Sequence, residues 1–369
     1  MITDKSVSIL FPSPRPVPGG GPKVVYEYAN RLVNNGWKVN IVYKWSIRTQ
    51  IIMDKRRPLR SIFGFILYNV PYLIKRFFKI YPTCRSWFAL DEKVSEHFLN
   101  SIDYNSMPHT AFYMATACST APIVSQYPVE NGRKLYLIQG YEKWQGRTDR
   151  MVRDTYHLGL KNIVVSRWLK AILDEEKVES TLMLNGFDFD SFSQSISFEN
   201  KDKMYATALH GGAIKGSKYA IEACKIVRQK YPSFRLRLFG VFPKPKNLPE
   251  WVEYYRNPDK ATLNYIYNDS AFYLGTSLQE GWGLTIGESM ICGAAVVCTD
   301  ILGYREMVSH GETGLMSPVA DSNAMAQNII RLIEDDNLRY EIASKGNHNI
   351  MTYTWDNSFN VLQSLLESN

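Results

Sequence analysis

Two glutamates frame the segment of the chain with the clearest chemistry, Glu280-Gly281-Trp282-Gly283-Leu284-Thr285-Ile286-Gly287-Glu288. The segment follows an apolar run and opens a helical one, which predicts Glu280 in a loop and Glu288 in the first helical turn. Gly281 and Gly283 let a ligand come close to the backbone. The amides of Leu284 and Thr285, at a helix amino end, form a site for an anion. Two carboxylates and free amides around one turn can hold sugar hydroxyls, ribose hydroxyls and a diphosphate together. A structural reading stands beside this one: Thr285-x-x-Glu288 has the spacing of a capping box. Glu280, beside Gly-Trp-Gly in a loop, has no comparable structural excuse.

The pattern resembles the E-x7-E signature of family 4 retaining glycosyltransferases, which have the GT-B fold of two Rossmann-like domains. Asn185-Gly186-Phe187-Asp188 resembles that family's NG[VF]D, and Ile214-Lys215-Gly216 stands where its donor-phosphate Lys-Gly is expected. Ser277–Glu280 is similar to S-x-x-E, and His310–Leu315 to H/N-G-x-x-G. The likeness covers the C-terminal half almost end to end. In the N-terminal half it touches only the glycine loop and Val165–Leu169. It implies that Glu280 and Lys215 are the catalytic pair. Glu280 would hold donor-sugar hydroxyls, Glu288 the ribose hydroxyls, and Lys215 the diphosphate as charge develops on the leaving group. Gly20 and Gly21 would let the first helix approach the donor. Leu284 and Thr285 would give their amides, in a donor loop completed by Gly281, Trp282 and Gly283. No metal and no cofactor are expected, the nucleotide-diphosphate sugar being a substrate. One departure stands out: the family places an Arg about five residues before the Lys, and this chain has His210. Either His210 donates to phosphate when protonated, or it packs against a strand end.

The acceptor would fall to the N-terminal half. Ala115–Ala121 and Gln139–Trp144 both follow apolar segments, and Thr120 and Glu142 are the candidate acceptor contacts. The second stretch faintly resembles a Q-x-Y-E of bacterial rhamnosyltransferase-like relatives; a plain surface turn is the alternative. His97, His109 and His157 match no motif. Other chemistries find no support. Gly19-Gly20-Gly21 lacks the third glycine of G-x-G-x-x-G, Val24 standing in its place, and neither G-x-S-x-G nor a P-loop occurs.

These residues need a scaffold, and the sequence describes one. Ser6–Phe11 reads as a buried strand, followed by a Pro-rich loop, a helix with Pro22 in its first position and Gly36 at its end, and a strand at Val39–Tyr43. Lys134–Ile138 and Ile163–Val165 continue the series, the latter leading into a helix capped by Ser166. A second α/β series starts near Met204: strand Tyr205–Leu209, helix Ser217–Lys230, strands Phe234–Phe239, Ala271–Leu274 and Ala295–Cys298, and a last helix over Trp355–Glu367. The expectation is an α/β, GT-B architecture with two doubly wound Rossmann-like domains facing a central cleft. The acceptor domain would span 1–188 and the donor domain 189–354, with a C-terminal helix, 355–369, crossing back to the first.

Composition narrows the classes further. With 369 residues, 45% of them hydrophobic, the chain is an ordinary globular protein of two-domain length. Five cysteines without a C-x-x-C pair argue against a disulfide framework and for a reducing, cytoplasmic setting. No secretory signal is expected at Met1, where Asp4 and Lys5 stand among the first residues. The most apolar charge-free stretch, Ser61–Ile74, has 14 residues, interrupted by Asn69 and Pro71, too few to span a bilayer.

The whole net charge of +7 sits within Asp54–Phe88, which holds eight basic residues and one acid, and the rest of the chain is neutral. A helix over Tyr72–Tyr81 would gather Leu73, Ile74, Phe77, Phe78, Ile80 and Tyr81 on one arc, with Lys75, Arg76 and Lys79 opposite. Asp54–Arg60 adds four bases. Such a helix suits an anionic membrane surface; the alternative is a core-packed helix with a basic outer face, and no nucleic-acid motif accompanies it. The combined expectation is a retaining transferase, peripheral at the inner face of a membrane, that moves a sugar from a nucleotide donor to a polysaccharide or lipid-linked glycan. A GT-B epimerase or phosphorylase, or a non-catalytic binding subunit, is the competing class.

Overall fold

The computed structural model describes residues 4–46, 58–144 and 146–368, with only the backbone of 58–65 and Tyr68. Its chain builds two compact units: one from residues up to Ile163, Leu173–Thr181 and the residues from Gln363 on, the other from Val164–Ile172 and Leu182–Leu362.

The first unit carries a sheet of β1 (Ser6–Phe11), β2 (Lys38–Lys44), β3 (Ser95–Leu99), β4 (Phe112–Ala115), β5 (Lys134–Ile138), β6 (Lys161–Val164) and β7 (Ser180–Leu182), in the order β3-β2-β1-β4-β5-β6-β7. From β3 to β5 the strands are parallel. β1 is buried along its whole length, as a central strand covered on both faces must be. The helices of this unit are α1 (Gly20–Asn34), α2 (Pro58–Phe77), α3 (Ala121–Ser125) and α4 (Asp149–Arg153), while α5 (Arg167–Glu175) belongs to the second unit up to Ile172.

The second sheet orders β8 (Asp202–Leu209), β9 (Arg235–Gly240), β10 (Val252–Arg256), β11 (Ser270–Gly275), β12 (Ala295–Thr299) and β13 (Leu315–Ser317) as β10-β9-β8-β11-β12-β13, all parallel. The second unit holds α6 (Ser217–Lys230), α7 (Lys260–Asp269), α8 (Leu284–Ile291), α9 (Ser322–Glu334) and α10 (Asp336–Ile350), and α11 (Trp355–Glu367) up to Leu362. Alternate strand residues serve opposite faces. Leu236, Leu238 and Val297 join the core that includes α6 and α9 residues. Phe239, Val296 and Cys298 join the other, with Ile266, Tyr267 and Ile286 from α7 and α8. Both units are therefore doubly wound Rossmann-like folds, and the GT-B expectation of the sequence is met.

Several local expectations change. Pro22 is the third residue of α1, because Gly20 and Gly21 are already helical. Ser166 does not cap α5: its hydroxyl finds no partner among the described residues, and the Glu306 carboxylate accepts from the Trp168 amide instead, at 3.1 Å. α2 begins at Pro58 and ends at Phe77, so Phe78–Tyr81 lie beyond it. Its end is a Schellman turn, with Lys79 left-handed at φ 54° and the amides of Ile80 and Lys79 bonded to Lys75 O and Arg76 O. Lys55, Arg56 and Arg57 of the basic cluster lie outside the described residues. Arg76 does not share the outer face with Lys75 and Lys79, for its guanidinium lies 6.0 Å over the rings of Trp45 and Tyr72.

Candidate active site

In the second unit the strand order reverses direction between β8 and β11, and open α/β sheets bind ligands where neighbouring strands send their connections to opposite faces. The two loops that leave these strands carry Lys215 and Glu280. They are fastened to each other: the Leu278 amide bonds to Ile214 O at 2.8 Å, and the Thr276 hydroxyl donates to Lys215 O at 3.0 Å. Gly216 makes the approach possible. It is left-handed, at φ 62°, and a Cβ there would stand 2.1 Å from Thr276 O. Gly211 leaves room for the Lys215 side chain, whose Cγ would be 2.7 Å from a Cβ at that position.

The loops bring Lys215 Nζ to 2.5 Å from Glu280 Oε1, and the Ser277 hydroxyl donates to the same oxygen at 2.7 Å. Lys215 keeps 30% of its side chain exposed and Glu280 16%, so the pair is neither sealed in the core nor free in solvent. A cation and a carboxylate that share one partly open loop can receive a ligand with both phosphate and hydroxyl groups.

Helix α8 begins beside them. Its N-cap is Gly283 at φ 99°, and no side chain caps it; a Cβ on Gly283 would meet the Tyr304 ring at 2.9 Å. Helices α1 and α6 likewise follow a glycine without a side-chain cap, whereas α7, α9 and α10 carry Asp259, Asp321 and Asp335 as caps. Uncapped amino ends leave amides for an anion. The capping-box reading fails here, since Thr285 is inside the helix and its hydroxyl accepts from Tyr273 OH at 2.6 Å. Glu288 is the fifth helical residue rather than a member of the first turn, and it is 6% exposed. Burial pushes the Tyr273 phenol above its ordinary value, and the charges of Glu280 and Glu288 act in the same direction. That ring therefore stays a donor between the two glutamates.

Trp282 is an anchor. It is buried, with its ring centroid 6.4 Å from Phe187 and 5.5 Å from Tyr353. Gly281 O accepts from Trp168 Nε1 at 3.0 Å. Phe187 in turn covers Gly287, where a Cβ would fall 2.1 Å from its ring, so Asn185-Gly186-Phe187-Asp188 holds α8 in place. Asp188 and Asp190 form an Asp-x-Asp triplet, a spacing with some affinity for divalent cations. The Asp188 carboxylate, however, is held by Lys260 Nζ at 2.6 Å and by the Ser191 amide at 3.0 Å. Among the described residues no three His, Cys, Asp or Glu side chains gather as a metal site.

His210 follows β8 directly. Its Nδ1 lies 2.8 Å from the Ser217 hydroxyl, and its ring meets Tyr254 edge-on. Burial lowers its pKa, so at neutral pH it is an uncharged ring at the first residue of α6 rather than a cation.

In the first unit the reversal falls between β1 and β4. Gly20 and Gly21 open α1 there, and a Cβ on Gly21 would lie 3.5 Å from the Gln139 side chain, which follows β5. Glu142 accepts from the Cys118 amide at 3.1 Å, with Arg147 at 4.0 Å. Burial raises its pKa, against the pull of that amide, Arg147 and Arg15. Thr120 is buried, its hydroxyl accepting from the amides of Thr116 and Ala117. It builds the turn that presents Cys118 to Glu142. Gln139 is the first residue of the Q-x-Y-E stretch, whereas Arg15 is invisible to sequence reasoning, since a lone basic residue in a Pro-rich loop carries no signal of its own.

Residues 201–335 match the family model of glycosyl transferases group 1. The phosphatidyl-myo-inositol mannosyltransferase of Mycolicibacterium smegmatis is 24% identical over 257 residues, 66% of this chain and 64% of that protein. The Mycobacterium tuberculosis counterpart is 26% identical over 261 residues, 66% of each chain. The match thus spans just under two thirds of the length of these relatives. O-antigen chain mannosyltransferase B of Escherichia coli is 30% identical over 107 residues, 29% of this chain and 28% of that one. Among solved structures, sucrose-phosphate synthase of Thermosynechococcus elongatus superposes with a TM-score of 0.68 at 16% identity, covering 99% and 98% of the two chains. Anabaena HepE in complex with UDP-glucose gives 0.66 at 15% identity, covering 98% of each. The solved structures share the fold.

Proposed function

We propose that this chain, whose residues 201–335 match the family model of glycosyl transferases group 1, moves a sugar from a nucleoside diphosphate sugar to a polysaccharide or lipid-linked glycan, with retention of configuration. The observation that carries the reading is the Lys215–Glu280 pair at 2.5 Å, between the loops of β8 and β11 and beside the uncapped end of α8. In the donor complex Lys215 leaves Glu280 for the diphosphate, and Glu280 turns its carboxylate to sugar hydroxyls. Leu284 and Thr285 give amides to the phosphates, and Glu288 takes the ribose hydroxyls. Gly20 and Gly21 keep the amino end of α1 open to an anion. Glu142, with Gln139 near it, orients the acceptor.

Transfer then breaks the bond between the anomeric carbon and the phosphate oxygen and forms one from that carbon to the acceptor oxygen, on the same face. The acceptor's proton passes to a phosphate oxygen of the leaving group, so no protein nucleophile is needed. Lys215 and the helix amides stabilise the negative charge as it grows, and this electrostatic contribution is the main one the chain supplies. The reaction runs without a metal. The homologous mannosyltransferases support a glycan or glycolipid acceptor, though at under two thirds of their length.

The test is to incubate the chain with nucleotide sugars and a lipid extract, and to follow diphosphate release and the glycosylated product. Transfer is expected, lost in Glu280→Ala and Lys215→Ala. An epimerised donor, or nucleotide binding without turnover, would replace this reading with one of its competitors.

A further inference from the structure

Helix α2 wears its apolar stripe on the outside. Ile66, Leu67, Val70, Leu73, Ile74 and Phe77 recur at helical spacing and are all exposed, Phe77 to 82%. The opposite side faces the domain, with Tyr72 buried against Trp45 at 5.0 Å and its hydroxyl 3.3 Å from Trp45 O. Beyond the helix the exposed surface continues through Phe78, Ile80 and Tyr81, and the rings of Phe77 and Phe78 meet edge to face at 5.1 Å. A stripe of this kind normally packs on a core, and this one packs on nothing among the described residues.

Charge says what covers it. From Lys55 to Leu90 the sequence contains no acidic residue. Lys75 and Lys79, exposed at the rim, make no ion pair among the described residues. A second copy of this chain in a two-fold contact would lay these bases against themselves. We infer that α2 and the turn after it dock on an anionic lipid surface, with Phe77 and Phe78 in the boundary between headgroups and acyl chains. The helix lies on the surface: no described helix is long and apolar enough to cross a membrane.

The docking does not depend on the proposed transfer reaction, but it has a consequence for it. Tyr72 fastens α2 just past the carboxyl ends of β2 and β3, at Trp45 and Asn100. The segment after α2 runs on to the β1 loop, where Trp87 Nε1 donates to Arg15 O at 3.0 Å. A lipid surface on α2 therefore lies along the carboxyl edge of the sheet where Gln139 meets the amino end of α1. A lipid-borne acceptor would enter that site from its own membrane.

The experiment is co-sedimentation with phosphatidylcholine vesicles, with and without about 30% phosphatidylglycerol. Binding is expected only with the anionic lipid, and it should fall as salt rises from ~0.1 to ~0.5 M. Phe77→Ser/Phe78→Ser should lower the partition at least about tenfold. Lys75→Gln/Lys79→Gly should do the same, with a glycine suited to the left-handed position. All four side chains are exposed, so the melting temperature should hold in both variants. Equal binding to both vesicle types, or unchanged binding by both variants, would overturn the inference. So would a dimer in light scattering that the phenylalanine variant converts to monomer.

Discussion

Replacing Lys215 by Met separates a catalytic cation from a structural one. Among the described residues this ammonium has one carboxylate partner, Glu280, and the two side chains are 30% and 16% exposed. An ion pair with that much solvent contributes about 1 kcal/mol or less to stability. For a unit of this size such a loss lowers the melting temperature by about 2–4 °C. Glu280 retains the Ser277 hydroxyl, so no buried charge is stranded. The kinetic effect should be far larger. A donor aimed at developing charge on a leaving group is worth about 3–4 kcal/mol, or 10²–10³ in kcat. The assay is the initial rate of nucleoside diphosphate release with donor and acceptor, beside calorimetry with the diphosphate and the free nucleoside. Lys215→Met should lose two to three orders of magnitude in kcat and weaken the diphosphate about tenfold, while nucleoside binding stays put. Glu280→Gln combined with Lys215→Met gives the decisive control. If the two residues merely neutralise each other, removing both restores activity; the double variant is expected to be at least as inactive as the worse single one. Recovery in the double variant, or a kcat within about fivefold of the parent in Lys215→Met, would refute the reasoning.

Other consequences follow from single positions. His210→Arg should tighten diphosphate binding about tenfold, because a guanidinium restores the charge that the half-buried imidazole lacks; calorimetry measures it, and unchanged affinity would remove His210 from the phosphate site. Since burial holds the His210 pKa below its unfolded value, the unfolded state binds the extra proton first, and the second unit should lose stability as pH falls from about 6.5, a slope that His210→Asn abolishes. Gly216→Ala should cost about 2 kcal/mol or more in a urea titration, the residue being left-handed with Thr276 O 2.1 Å from the new Cβ. All five cysteines are buried, and burial raises the thiols of Cys84, to about 11, and Cys292, to about 12. A colorimetric thiol reagent should find none in the native protein and five after unfolding.

Much of the scaffold was legible in the sequence where one signal dominated. β1, β5, α6 and α11 have the bounds that continuous apolar runs, helical spacing and Gly or Pro punctuation indicate. Shorter elements escaped: β7 and β13 have three residues each, too few to show a period. The glutamates and Lys215 could be listed from their motifs, but their meeting could not, because it depends on two hydrogen bonds between loops 61 and 64 residues apart in the chain. Thr285-x-x-Glu288 misled for a local reason. Gly283 takes the left-handed conformation and starts α8 one residue before Thr285, and no spacing rule anticipates that. In α2 the period was visible and its direction was not, since an apolar stripe reads the same whether it meets a core or a bilayer.

The most direct test of the account is where a nucleoside diphosphate binds. Hydrogen exchange can locate it, using whichever of the common diphosphates raises the melting temperature most. Protection of the amides from His210 to Ser217 and from Thr276 to Glu288 is the predicted result. Protection elsewhere with those two loops unchanged, or no protection at saturation, would contradict it.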